Sequence, residues 1–94
     1  MAYNAEKEVR NTLLDINKNK RGDVIRLSSI SVEESDDKSY DIRNMYVRED
    51  GELGFTQKGI RLKSSDMVDI VIEVLKDLST EDYNRVIKAI QDIE

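Results

Sequence analysis

Apolar side chains recur at alternate positions along the first two-thirds of the chain, and beyond Ser64 they recur at helical spacing. Glu8–Asn17 (EVRNTLLDIN) carries Thr12, Leu14 and Ile16 at period two, with Val9 and Leu13 on the other parity. Val9, Leu13 and Ile16 are also four and three apart, so the spacing suits a strand or a helix. Residues 18–23 (KNKRGD) read as a polar turn. Residues 23–33 (DVIRLSSISVE) are β-branched and Ser-rich, a strand composition. Their apolar parity switches from Ile25 and Leu27 to Ile30 and Val32. A bulge or sharp bend at Ser28-Ser29 is expected there, because one extra residue exchanges the two faces. Glu34-Ser35-Asp36-Asp37 is a turn signal. Residues 38–48 follow as a strand, with Tyr40 and Ile42 inward and Asp41 and Arg43 outward. Asp50-Gly51 is a strong turn dipeptide, and residues 58–63 (KGIRLK) alternate Ile60 and Leu62 against Arg61 and Lys63. Four strands is the simplest count.

From Ser65 the period becomes 3.6. Ser64 or Ser65 caps, and Asp66 lies in the first turn, where it suits the helix dipole. Asp66, Asp69, Glu73, Lys76 and Asp77 fall on one arc of a helix over 65–78. Met67, Val68, Ile70, Val71, Ile72, Val74, Leu75 and Leu78 fill the rest, an arc roughly 200° wide. One sheet face needs about half of that, and the surplus calls for a second subunit. Ser79 and Asp82 have capping-box spacing and open a second helix over 80–94, with a stripe of Tyr83, Val86, Ile87, Ile90 and Ile93. Residues 1–94 thus read as a single α+β domain.

The chain has 94 residues and no Cys, His, Pro or Trp, which removes disulfides, thiolate chemistry and the usual general base near neutrality. No apolar run approaches the ~20 residues that cross a bilayer, and the N-terminal residues do not resemble a secretory signal, so a cytoplasmic protein is expected. Net charge is −5. Residues 1–63 hold 12 basic and 12 acidic groups, whereas residues 64–94 hold 3 and 8, so the acidity belongs to the helices. The paired carboxylates Glu33/Glu34, Asp36/Asp37 and Glu49/Asp50 fall in turns, where solvated surface rather than acid-base chemistry is expected. Neither an EF-hand nor a Walker spacing is present. The expected protein is not an enzyme and needs no cofactor or metal.

The informative feature is a basic and aromatic set on strand-like segments. Arg43, Tyr46, Arg48, Lys58, Arg61 and Lys63 lie on or beside the later strands, with Lys38 at the start of one. Arg10, Lys18, Lys20, Arg21 and Arg26 precede them. Cations that track phosphates, beside rings that stack on bases, suit a single-stranded nucleic acid. The same pattern also describes a solvated sheet face.

Tyr40-Asp41-Ile42-Arg43-Asn44-Met45-Tyr46, then Glu49-Asp50-Gly51-Glu52-Leu53, then Lys58-Gly59-Ile60-Arg61-Leu62 and a helix opening at Ser65 resemble the core of the transcriptional positive cofactor 4 family, including its bacterial and phage members. The likeness covers about residues 38–78. It implies a whirly-like ββββα unit: a curved four-stranded antiparallel sheet and a helix, here with an added C-terminal helix. It also implies a homodimer, through helix residues such as Met67, Val68, Val71, Ile72, Val74, Leu75 and Leu78 together with the last strand. The implied function is non-catalytic binding of single-stranded DNA, or RNA, with little sequence preference, in transcription, replication or repair. By position Arg43 is the DNA-contacting Arg, Tyr46 the stacking ring and Lys58 the Lys before the Gly. One departure stands out: residues 33–37 (EESDD) are acidic where the family's hairpin is basic and aromatic, which opposes phosphate. That departure, with the net charge, keeps open a protein-interaction module of the same fold, whose partner would meet the C-terminal helix.

Overall fold

The computed structural model describes residues 8–32 and 37–94. Four strands are followed by two helices: β1 (Glu8–Asn17), β2 (Val24–Val32), β3 (Lys38–Val47), β4 (Leu53–Lys63), α1 (Ser64–Asp77) and α2 (Thr80–Ile93). The strands form one antiparallel sheet in the order β1-β2-β3-β4. The α+β class, the strand count and both helices agree with the sequence pattern, and Glu8–Asn17 is a strand rather than a helix. The chain divides into two compact units at Ser64/Ser65. The acidic turn at Glu34-Ser35-Asp36-Asp37 lies, apart from Asp37, outside the described residues.

In the sheet unit, register decides which side chains share a face. β2 pairs with β3 without interruption from Val24↔Met45 to Ser31↔Lys38, so the bulge expected at Ser28-Ser29 is absent. The bulge lies in β1 instead, where the pairing steps from Thr12↔Ser28 to Leu14↔Leu27 and leaves Leu13 as the extra residue. That extra residue explains why β1 is apolar on both parities. Val9 before the bulge and Leu14 and Ile16 after it reach one face, with Ile25, Leu27, Ile42, Ile60 and Leu62. Ile30 and Val32 stay in uninterrupted register and face the other way. A second irregularity sets Asn44 of β3 against Thr56, Gln57 and Lys58 of β4. Two extra residues preserve parity, so Phe55 returns to the face of Met45.

The second face is ionic, and it holds the buried centre of the sheet unit. Ile30, Met45, Ser28 and Asp41 are all 2% exposed or less. Asp41, expected to point outward, is buried. The cause is curvature: a flat sheet would hold β1 and β4 about 14 Å apart, three interstrand spacings. Here Glu8 of β1 bonds Arg61 of β4 at 2.6 Å, and the Arg10 guanidinium of β1 stands 5.5 Å from the centroid of Phe55 on β4. Both edge strands therefore curl over the ionic face and make it concave. The apolar face is convex, with Val9, Leu14, Ile16 and Ile60 about half exposed.

The turns follow their sequences. Gly51 (φ 85°) and Gly22 (φ 103°) take the positive φ that their turns need and that glycine supplies without strain. Asn19 Oδ1 accepts from the backbone N–H groups of Arg21, Gly22 and Asp23. Asp23 then ties this turn to the sheet. One of its oxygens accepts the Val47 N–H at 2.9 Å, and the other accepts Asn19 Nδ2 and Arg21.

In the helical unit, Ser79 caps α2 and accepts from Asp82 N–H at 3.2 Å, the N-cap half of the expected box. No residue of α1 or α2 is buried. Val68, Ile70, Val71, Ile72 and Val74 are 45–52% exposed.

The Val47 N–H, with Asn19 and Arg21, holds the Asp23 carboxyl far below its ordinary value of 3.8. A depressed folded value contributes stability above the unfolded pKa, and this is lost as pH falls toward the folded value. The urea midpoint should therefore decline progressively below about pH 4. Asp23→Asn should make that decline shallower while lowering the midpoint at pH 7; an unchanged acid slope would refute the role given to Asp23.

Candidate nucleic-acid interface

The concave face gathers five cations and three carboxylates: Arg10, Arg26, Arg43, Arg61 and Lys63 against Glu8, Asp15 and Asp41. Its balance is +2 in a chain of net −5. At the centre, Asp41 is held from two strands. Arg43 donates Nε to its Oδ2 (3.0 Å) and Nη2 to its Oδ1 (2.9 Å), a bidentate pair. Arg10 reaches across β2, over the small Ser28, and donates Nη1 to Oδ2 at 3.1 Å. Burial pushes the Asp41 carboxyl up, but these hydrogen bonds and charges outweigh it and hold the group below the ordinary range. The same bonds raise the Arg43 pKa.

Local backbone places Arg43. Gly59 stands opposite it, and a Cβ there would meet Ile42 O at 2.8 Å and Arg43 Cβ and Cγ at 2.9 Å. The glycine leaves room for the Arg43 side chain, whose Nη1 donates to Thr56 O at 2.7 Å. The β4 bulge presents that carbonyl, and Thr56 Oγ1 closes the bulge by donating to Asn44 O and accepting the Lys58 N–H. Arg43 thus has three bonds within the sheet and two N–H groups left over.

Toward β1 a second bidentate pair forms. Arg26 Nε and Nη2 donate to Asp15 Oδ1 and Oδ2 at 2.8 and 2.9 Å, and the Asp15 pKa falls through that hydrogen bond. These side chains are 22% and 34% exposed, so the pair is worth about 0–1 kcal/mol. Arg26 and Arg43 are directly opposite in register, an unfavourable placement of like charges that the two carboxylates offset. Arg61 bonds Glu8 and Ser39 Oγ. Beside Arg10, Phe55 is 60% exposed, with the guanidinium over its ring.

The structure brings Arg43, Arg61 and Lys63 together with Arg26, whereas Lys58, expected to share their side, falls in the β4 bulge. The structure does not bring Tyr46 to them. β3 runs without a break against β2, so Arg43 and Tyr46, three residues apart, face opposite ways. The Tyr46 ring instead lies over Gly54, where a Cβ would meet it at 2.8 Å, on the convex face. Lys38, opposite Ser31, is on that face too. Lys18 donates Nζ to Asn44 Oδ1, Arg21 pairs with Asp23, and Lys20 is exposed in the same turn. Lys58 sits in the β4 bulge.

Phe55 is the ring that the sequence reading passes over. Counting back from Gly59 by twos would give it this face, but Gly54-Phe55-Thr56 follows a turn and reads as loop. The chain's only Phe is the remaining signal.

Chemically this face offers guanidinium N–H groups, an ammonium and one open aromatic face. Among the described residues no group of three or more acidic side chains is placed to hold a metal ion. No helix among them is long and apolar enough to cross a membrane. Compared with protein-family models, curated proteins and solved structures, the chain finds no match in any of the three.

Removing one partner of a buried ion pair typically costs about 3–5 kcal/mol, because it leaves uncompensated charge. Asp41→Ala should approach that loss in urea unfolding, whereas Asp15→Ala should cost under about 1 kcal/mol. Equal losses would contradict the assignment of Asp41 as the anchor.

Proposed function

We propose that the chain binds single-stranded DNA without catalysis, as a homodimer, along the concave face of the sheet. The observation that carries this reading is the exposed Phe55 ring on the same surface as Arg10, Arg26, Arg43, Arg61 and Lys63. A base stacks on the ring while cations meet the phosphates, and neither contact depends on base identity. Duplex is disfavoured because a paired base cannot offer its face. The family resemblance over residues 38–78 supports the same reading and suggests service in transcription, replication or repair. Phe55, rather than Tyr46, takes the stacking role, because only it shares the face of the guanidiniums. RNA offers the same bases and phosphates and is the natural comparison ligand.

The dimer reading rests on α1. Val68, Val71, Ile72 and Val74 are each about half exposed in the single chain, and Met67, Leu75 and Leu78 are partly so. A second copy of the same helix would remove that apolar area from water. A protein-interaction module is the second reading. Its supporting observation is that Arg26, Arg43 and Arg61 already bond carboxylates of the sheet.

Fluorescence anisotropy with labelled dT20 at 50 mM salt separates the two readings. Binding is expected, and Phe55→Ala should weaken it by about 1–3 kcal/mol, the worth of one stacked base. Tyr46→Ala should change it little, and absence of a complex would favour the interaction module. In sedimentation equilibrium the chain should run as a dimer at tens of micromolar. Val71→Asp should dissociate or unfold it, because the seam would bury an unpaired charge.

A further inference from the structure

Among the described residues, Arg26 and Asp15 form the one bidentate pair of the concave face that a polyanion can reach. Asp41 is 2% exposed at its side chain and is gripped by two guanidiniums, so no ligand displaces it without unfolding the centre of the sheet. Asp15 is 34% exposed, lies on the edge strand β1 and, among the described residues, is held by Arg26 alone. Its presence on this face depends on the Leu13 bulge. Were β1 to alternate through Leu13 without a bulge, Asp15 would have the parity of Val9 and Asn11 and would point to the convex side. A backbone irregularity thus sets a carboxylate against a guanidinium that otherwise faces ligand. Arg26 stands directly opposite Arg43, at the middle of the cationic row.

A carboxylate and a phosphate present the same pair of oxygens to the guanidinium fork, so each can replace the other. We propose that Arg26 is a phosphate-binding site masked by Asp15, with the carboxylate serving as an internal competitor that sets the threshold for nucleic-acid binding. The proposal rests on the single-stranded DNA reading above and adds its regulation. On binding, Asp15 turns out to water and Arg26 transfers its Nε and Nη2 donors to a phosphate oxygen pair. Every other ion pair of the face stays in place.

The test is a double-mutant cycle read by anisotropy with labelled dT20 across a salt series. Asp15→Asn keeps the shape and removes the competing charge; Asp92→Asn on α2 makes the same change in net charge far along the chain. One added phosphate contact steepens the single-strand salt slope by about 0.7 and raises affinity about eightfold at 50 mM salt. Asp15→Asn should show that gain, up to this size, and Asp92→Asn should not. Adding Arg26→Gln to Asp15→Asn should abolish the gain. Arg26→Gln alone should cost the wild-type chain part of its slope, because the unmasked fraction of Arg26 contributes there. A melting curve for each variant keeps loss of fold separate from loss of binding. Equal behaviour of Asp15→Asn and Asp92→Asn, or a gain that survives Arg26→Gln, overturns the proposal. If the wild type binds and Phe55→Ala weakens it while Asp15→Asn changes nothing, the masking idea alone fails. If no variant binds at 50 mM, the DNA reading fails and takes the masking with it.

Discussion

One buried carboxylate organises the sheet. Asp41 on β3 accepts from Arg43 on its own strand and from Arg10 two strands away, and it is almost wholly removed from water. An unpaired charge in such a place would shift its pKa and neutralise; this one stays ionised because two guanidiniums face it. Satisfying it requires β1 to bend over the face that bears β3's odd-numbered side chains. That bend brings Arg10 to Phe55 and Glu8 to Arg61. The curvature that buries Asp41 and the meeting of Arg10 with Phe55 are thus tied to one ionic centre.

The two glycines of β4 show how backbone economy supports that arrangement. Gly59 lies under Arg43 on the concave face, and Gly54 lies under Tyr46 on the convex one. In each case a long β3 side chain crosses its neighbour strand where no Cβ stands. The bulge between them is spanned by Thr56, which serves both its own strand and Arg43. The sheet thus presents opposite chemistry on its two sides, ionic within and aliphatic without. Half-buried antiparallel sheets more often carry the aliphatic side toward their centre.

Element identity was legible in the sequence because period two and period 3.6 separate cleanly at Ser64, and because Asp50-Gly51 and Ser79 carry turn and cap chemistry. Facing was less legible. Alternation says which residues go together, not which group meets water. The aliphatic parity of β3 reads as the inward one, while Asp41 holds the buried place. The double parity of β1 reflects one extra residue, which only pairing identifies as Leu13, whereas the switch of parity in β2 is a true change of face in unbroken register. Phe55 has the parity of Gly59 but is hidden because it follows a turn and precedes the alternating segment at residues 58–63. Arg43 and Tyr46 belong to one basic and aromatic set in the sequence, and their three-residue separation in an unbroken strand parts them. The partnering of Arg26 with Asp15 needed both the β1 bulge and the β1–β2 register, and neither is written in composition.

Strand order equals chain order in this sheet, and every neighbouring pair is joined through its own short connection. Each hairpin can therefore zip in turn, with little loop-closure entropy for any single step. The contacts between β1 and β4 differ: Glu8–Arg61 closes 53 residues of chain and can form only after three pairings exist. The two rims of the concave face thus meet last as the chain folds. They are also the contacts whose breathing leaves the inner hairpin, β2 with β3, intact. In this meander the rims of the concave face are the part that opens at least cost, while the strands that carry Asp41 and Arg43 keep their register.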